Sequence, residues 1–178
     1  MRTKNSIINI TVGIGNQFII TLLSFVSRTV FITTLGIEYL GINGLFTNIL
    51  AMLTLAEAGL GASIMYSLYK PVAENDINRI NILMKFYRNV YFVIALVIFT
   101  LGLSIMPFLD IFVKESNVEN INLIYLIFLL NTVAPYFYVH KSTFLNVCQK
   151  GFIVTGIYSI SSIISVSIKI GILHYTQN

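Results

Sequence analysis

Residues 41–69 combine an apolar run long enough to span a membrane with a single carboxylate. They read GINGLFTNILAMLTLAEAGLGASIMYSLY, and Glu57 is their only charged side chain. A membrane-spanning helix needs about 20 mainly apolar residues, so splitting the run at Glu57 would leave two pieces too short to span. The run therefore predicts one span that contains a carboxylate. If Lys70 marks the inner membrane boundary, Glu57 lies about 20 Å above it, near mid-membrane.

The composition of the whole chain indicates a membrane protein. Of the 178 residues, 56% are hydrophobic and 10% are charged. Soluble domains carry about 25% charged residues, and a soluble fold this apolar would expose large patches that aggregate. The lone Cys148 excludes an intramolecular disulfide framework. We therefore expect an all-α membrane protein in which residues 1–178 form a single transmembrane domain.

Five apolar segments are long enough to be membrane spans. They run from about Ile7 to Thr33, Ile42 to Tyr69, Tyr91 to Val113, Ile121 to Val139 and Phe152 to Leu173. The first is not a cleaved signal peptide, because its apolar stretch is too long and Arg28 lies where small residues should mark a cleavage site.

The cations outside the spans predict the orientation of the chain. Eight of the eleven lysines and arginines lie before the first span or at the joints that follow the second and fourth: Arg2, Lys4, Lys70, Arg79, Lys85, Arg88, Lys141 and Lys150. The joint at 110–122 instead has Lys114 against Asp110, Glu115 and Glu119. By the positive-inside rule the cation-rich side is cytoplasmic, so the N-terminus is predicted to be inside.

Three predicted spans carry a stripe of small or polar residues that includes one charged residue. The stripes are Gly13, Gln17, Thr21, Ser24 and Arg28; Asn43, Thr47, Thr54, Glu57, Ala58 and Gly61; and Thr155, Tyr158, Ser162, Ser165 and Lys169. At 100° per residue each stripe follows one helix face. Ionisable residues at such positions are candidates for lining a cavity. Close helix packing, snorkelling of Arg28 and Lys169, and an Arg28–Glu57 ion pair are the alternatives.

Pro135 predicts a bend in the fourth span, because it removes a hydrogen bond from the carbonyl of Asn131. Bent helices with freed polar groups line many transporter sites, although a purely structural kink is equally compatible with the sequence. The candidate cavity residues are therefore Arg28, Glu57, Lys169, Gln17 and Asn131.

No sequence pattern indicates an enzyme. The GIG at 13–15 lies in an apolar helix and lacks the rest of a phosphate-binding fingerprint. His140, His174 and Cys148 match no metal-binding motif, and His140 is interpreted as an interfacial residue beside Lys141. We expect no enzymatic activity, no cofactor, no metal and no nucleic-acid partner.

Four pieces of the stretch 28–76 together resemble a known transporter family. They are the arginine, FI and LG of 28–36, EYLGINGLF at 38–46, LAEAGLGAS at 55–63 and YSLYKPVA at 66–73. They resemble the first two helices of bacterial polysaccharide flippases of the capsule and O-antigen type, in the multidrug/oligosaccharidyl-lipid/polysaccharide exporter superfamily. QKGFIVTGIYS at 149–159 resembles the start of that family's fifth helix, with Cys148 where an acidic residue is often found.

The resemblance implies that the chain acts in moving a polyprenyl-diphosphate-linked oligosaccharide across the bacterial cytoplasmic membrane. The family works by alternating access, often coupled to an ion gradient. Arg28 and Lys169 would then attract the anionic diphosphate. Glu57 would pair with a cation in one state and bind a proton in another.

The resemblance also implies an incomplete protein. Family members have two lobes with the cavity between them, whereas five spans resemble part of the N-terminal lobe of a MATE-like transporter. A missing C-terminal lobe or another chain would then be needed for activity. The alternatives are a lobe of a multidrug antiporter, a membrane enzyme of envelope assembly and a non-transporting remnant.

Overall fold

In a computed structural model, the chain is described at residues 2–113, 118 and 120–176, and its described elements are helices joined by short turns. The α-helices are α1 (Arg2–Leu35), α2 (Ile37–Thr54), α3 (Leu60–Glu74), α4 (Ile77–Ile105), α5 (Leu109–Phe112), α6 (Ile121–Val133), α7 (Val139–Val147) and α8 (Gly151–Thr176). Single turns of 3-10 helix occupy Leu55–Glu57, Met106–Phe108 and Ala134–Phe137. The predicted all-α class is confirmed.

The helices form two compact units, each described by itself. The terminal unit consists of residues 1–40 and 145–178, and the middle unit of residues 41–144. In the terminal unit α1 packs along α8. In their polar contacts, residue numbers rise along both helices in step: Asn9 pairs with Gln149 and Phe152, Asn16 with Ser159, and Ser27 with Lys169. The two helices are therefore parallel.

In the middle unit, α4 packs antiparallel to both α3 and α6. A tight turn at Asn75 and Asp76 joins α3 to α4, and the Asp76 carboxylate caps α4 by accepting from the Arg79 N–H at 3.0 Å. Late in α4, the Tyr125 hydroxyl of α6 donates to the Gly102 carbonyl at 3.0 Å. Earlier in α4, Tyr91 meets Tyr136, which follows α6.

Helix α2 runs parallel to α6 in the same unit. The Phe46 ring packs edge-on against the rings of Tyr125 and Phe128, with centroids 5.2 and 5.8 Å away. At the far end, the Glu57 carboxylate interacts with the Tyr136 hydroxyl. The later residue of one segment contacts the later residue of the other, so α2 and α6 run in the same direction.

The predicted span 42–69 is not one continuous helix. Helix α2 ends at Thr54, and α3 begins at Leu60. Between them Ala58 leaves the helical region with ψ of 120°, and Gly59 has φ of 91°, a conformation that glycine adopts readily. The single-face stripe from Asn43 to Gly61 was therefore a wrong prediction beyond Thr54.

Three described helices are long and apolar enough to cross a membrane: Asn5–Leu35, Ile77–Phe108 and Gly151–Leu173. Ile121–Phe137 and Val139–Val147 together make a fourth candidate, bent by 43°. The predicted bend after Pro135 and the multi-span membrane character are thus confirmed. A crossing by 42–69 stays a prediction. The predicted outer joint falls partly on Lys114, Glu115 and Glu119, which lie outside the described residues.

Candidate functional site

The strongest candidate site is a buried polar cluster around Glu57 in the middle unit. Glu57 ends the 3-10 turn that follows α2, and its carboxylate has a hydrogen-bonding interaction with the Tyr136 hydroxyl. Its Oε2 atom is buried and has no hydrogen-bond partner among the described residues. Burying an ionised oxygen without a partner is costly, so this atom requires a proton, a cation or water.

Two tyrosines surround the carboxylate. Tyr91 of α4 is 2% exposed and Tyr136 is 6% exposed, and their ring centroids lie 6.3 Å apart. Both hydroxyls are close enough to the Glu57 carboxylate to feel its charge. A side chain at Gly61 would begin 3.6 Å from the Tyr91 hydroxyl, so this glycine keeps the first turn of α3 open beside the cluster.

Local sequence explains how the two rings reach this place. Tyr91 belongs to the buried stripe of α4, which consists of Tyr87, Tyr91, Ala95, Ile98 and Gly102 at spacings of three and four residues. Tyr136 lies in the 3-10 turn Ala134–Phe137, where Pro135 interrupts the helix. The Pro135 bend thus presents a tyrosine to Glu57.

The position of Glu57 across the membrane is different when Tyr91 of α4, and not Lys70, is taken as the reference. The carboxylate lies beside Tyr91, which is three residues after Arg88 and begins the predicted third span. Lys70 had suggested a position near mid-membrane instead. The two markers disagree because α3 folds back against the charged first half of α4 and does not continue α2. Glu57 therefore lies close to the first residues of the predicted third span.

Helix α7 adds a buried histidine and threonine to the cluster. His140 is 5% exposed, and its Nδ1 atom is buried without a hydrogen-bond partner in the described part of the chain. Thr143 is also buried, and its hydroxyl interacts with the Tyr91 hydroxyl while donating to the Val139 carbonyl at 3.0 Å. His140 is therefore packed against protein, and its location at the membrane interface stays a prediction. Its spacing of three residues from Thr143 on one helix face was the available signal.

Lys169 is held in the terminal unit by two contacts. Its Nζ donates to the Ser27 hydroxyl at 3.3 Å and lies 5.9 Å from the centroid of the Phe31 ring. Arg28, the residue after Ser27, is exposed. The structure thus brings Lys169 to the α1 turn that carries Arg28, and the cavity-lining role of both cations stays a prediction.

The remaining predicted residues lie outside these clusters. Gln17 is exposed on α1, and the neighbouring Asn16 makes the contact with Ser159 instead. Asn131 is exposed on α6. Arg28 and Glu57 belong to different units, so their predicted ion pair stays a prediction.

Among the described residues, no group of three or more histidine, cysteine, aspartate or glutamate side chains is placed to hold a metal ion. Comparison with protein-family models, with curated proteins and with solved structures gives no match to this chain.

Proposed function

We propose that this chain forms part of the N-terminal lobe of a flippase for polyprenyl-diphosphate-linked oligosaccharides in the bacterial cytoplasmic membrane. The observation that carries the proposal is the helix break at 55–59, which places a carboxylate with a buried, unpartnered oxygen among membrane helices. Interrupted helices beside a buried ionisable group are typical of transporter sites. The break falls within LAEAGLGAS, one of the pieces that resemble the family.

The helix directions support a topology of five crossings. Because α1 and α8 are parallel, the chain between them must cross the membrane an odd number of times if both helices span. Helix α4 and the bent pair α6–α7 supply two antiparallel crossings. One more crossing is therefore needed, and α2 has the required direction because it runs parallel to α6.

The length of α2 fits this assignment. Its 18 residues extend about 27 Å, close to the hydrocarbon thickness of about 30 Å. Three crossings, by α1, α4 and α8 alone, would also satisfy the parallel directions. They would place Lys70, Arg79, Lys85 and Arg88 outside, against the positive-inside rule. Five crossings keep these cations in the cytoplasm and give the MATE-like half-bundle.

Arg28 and Lys169 are the proposed contacts for the anionic diphosphate. Both lie in the terminal unit, where Lys169 contacts Ser27 and the Phe31 ring. A cation that is held by neighbouring groups loses less side-chain entropy when it binds a phosphate. Glu57 is the proposed coupling residue, since its unpartnered oxygen can accept a proton or a cation.

The test is binding of lipid by the purified chain, measured by native mass spectrometry. We expect retention of a polyprenyl diphosphate and weaker retention of the matching polyprenyl alcohol. Arg28→Gln and Lys169→Gln should each weaken diphosphate retention about tenfold, as expected for loss of one charge-assisted contact. Arg79→Gln, in the first turn of α4, is the matched control.

Equal retention of the alcohol, or equal effects of all three substitutions, would contradict the proposal. Retention of small organic cations in place of the diphosphate would favour the multidrug antiporter.

A further inference from the structure

Glu57 and His140, at the two ends of the buried cluster, each have a buried polar atom without a hydrogen-bond partner among the described residues. Among the described residues, the buried side-chain polar atoms without a hydrogen-bond partner are Glu57 Oε2 and His140 Nδ1. Both atoms belong to groups that exchange protons, and both lie in the middle unit. Buried polar atoms are nearly always paired, so two unpaired acid–base atoms in one cluster need a common explanation.

Tyr136, Tyr91 and Thr143 lead from Glu57 to the helix face that carries His140. Tyr136 has a hydrogen-bonding interaction with Glu57, and Tyr91 has one with Thr143. The Tyr91 and Tyr136 rings lie next to each other, with centroids 6.3 Å apart. Thr143 follows His140 by three residues on α7, so the two side chains share a helix face. A hydroxyl both donates and accepts, so such a row can transfer protons.

We propose that His140, Thr143, Tyr91 and Tyr136 form a proton relay that loads Glu57 from the cytoplasmic side. The relay rests on the proposed function for its purpose, because a proton delivered to Glu57 would be the coupling ion of transport. It goes beyond that function by assigning the ion, its entrance and four residues.

Each proton that leaves one group in the relay is accepted by the next. The His140 imidazolium gives one proton to the Thr143 oxygen, while Thr143 gives its own hydroxyl proton to the Tyr91 oxygen. Tyr91 gives its hydroxyl proton to Tyr136, and Tyr136 gives its hydroxyl proton to the Glu57 carboxylate. Each hydroxyl ends neutral, Glu57 becomes a carboxylic acid, and His140 regains a proton from water.

One hydrogen bond in the structure acts against transfer. The Thr143 hydroxyl donates to the Val139 carbonyl at 3.0 Å, so it must rotate toward Tyr91 before it can pass a proton on. This rotation is a step at which the relay can be interrupted. Thr143 is therefore the position where removal of the hydroxyl should matter most.

Charged or titratable groups lie beside both ends of the proposed relay. At His140 the charges that act on the imidazole are those of Arg88 on α4 and Lys141 on α7, and both side chains are exposed. At Glu57 the neighbouring titratable groups are Tyr91 and Tyr136. The His140 end therefore lies near exposed cations of the predicted cytoplasmic side, and the Glu57 end lies beside two tyrosines.

The experiment follows the carboxyl carbonyl band of Glu57 by infrared spectroscopy after a rapid change from alkaline to acidic buffer. It uses the full chain in phospholipid vesicles and no glycan. Glu57→Gln should remove the band that appears on acidification. His140→Gln and Thr143→Val should slow its appearance at least about tenfold without changing its final amplitude.

Conservative and control substitutions keep the result interpretable. Tyr91→Phe keeps the buried ring and removes only its hydroxyl, so it should also slow the band. Tyr138→Phe changes an exposed tyrosine two residues after Tyr136 and should leave the rate unchanged. Circular dichroism of each variant verifies that the helices are intact.

Three outcomes would overturn the relay. They are the absence of a Glu57 band, unchanged rates in the His140, Thr143 and Tyr91 variants, and a band that responds to sodium at constant pH. None of them would affect the lipid-binding test through Arg28 and Lys169, so failure of the relay and failure of the flippase proposal are distinguishable.

Discussion

The contacts inside the terminal unit differ from those inside the middle unit, although both units are rich in apolar residues. In the terminal unit, the described side chains of α1 and α8 include only two buried ones, Ser27 and Leu173. Asparagine, serine and lysine contacts join these two parallel helices. The middle unit instead has a packed core in which Phe46, Tyr125 and Leu129 are fully buried.

This difference shows that hydrophobicity alone does not locate a core in a membrane protein. Lipid is as apolar as leucine, so polar contacts and close packing hold membrane helices together. In the terminal unit, polar contacts add to the close approach of α1 and α8, whereas the middle unit also buries large side chains. Substitutions that distinguish hydrogen bonds from packing should therefore affect the two units differently.

The largest expected effect tests whether α2 crosses the membrane. In a Cys148→Ser background, which removes the single native cysteine, Glu38→Cys should react with an impermeant maleimide added outside intact cells. Asn78→Cys should react only after the membrane is opened. Because charged maleimides do not cross lipid, the expected difference is all or none. Labelling of both residues from outside would contradict the crossing by α2.

The next largest effect compares a packed glycine with an open one. A side chain at Gly102 would begin 2.3 Å from the Leu129 side chain, whereas Gly156 of α8 has nothing within 4 Å. Gly102→Ala should lower the free energy of unfolding by about 1–3 kcal/mol, because Leu129 is fully buried and has little room to move. Unfolding in mixed micelles with increasing denaturing detergent measures it.

Gly156→Ala is the matched control and should change stability in the opposite direction. An alanine in an open helix position raises helix stability by about 0.5–1 kcal/mol relative to glycine. Equal losses at both glycines would show that the two units are packed alike.

A smaller effect is expected from the polar contacts of the terminal unit. Asn9 donates to the Gln149 carbonyl at 3.2 Å and accepts from the Phe152 N–H at 2.7 Å. Asn9→Ala should cost about 1–2 kcal/mol in the same unfolding assay, since two hydrogen bonds are lost. Gln17→Ala, on the exposed face of α1, should have little effect. If both variants unfold alike, the α1–α8 pair does not depend on Asn9.

The smallest effect concerns Lys169. Lys169→Met removes the bond to Ser27 and the contact with the Phe31 ring and keeps most of the apolar stem. We expect a loss of about 0.5 kcal/mol, because ammonium contacts near solvent are weak. Lys150→Met, at an exposed position before α8, is the control. A loss as large as that of Asn9→Ala would give Lys169 a mainly structural role.

Much of the helical architecture could be predicted from local sequence. Apolar length alone predicts the spans near α1, α4 and α8, because insertion depends on the sum of transfer free energies along one segment. Pro135 likewise predicts its own bend, because the missing N–H and the ring act on the preceding turn. Both signals are local, so no knowledge of a partner helix is needed.

The contact face of α1 was harder to predict. The stripe through Gln17 and Arg28 has regular helical spacing, but the structure uses Asn9, Asn16 and Ser27 against α8. Both faces carry small or polar residues at helical spacing. Only the partner helix decides which of two such faces becomes the interface.

Local sequence is enough to predict an all-α chain with several membrane-length helices and a carboxylate in an apolar setting. The helix break before Leu60, the position of Glu57 beside Tyr91 and Tyr136, and the burial of His140 depend on the folded chain. The reason is the range of the interactions. Hydropathy and proline act within one segment, whereas the environment of Glu57 is assembled from α4, α7 and the turn at Pro135, far apart along the chain.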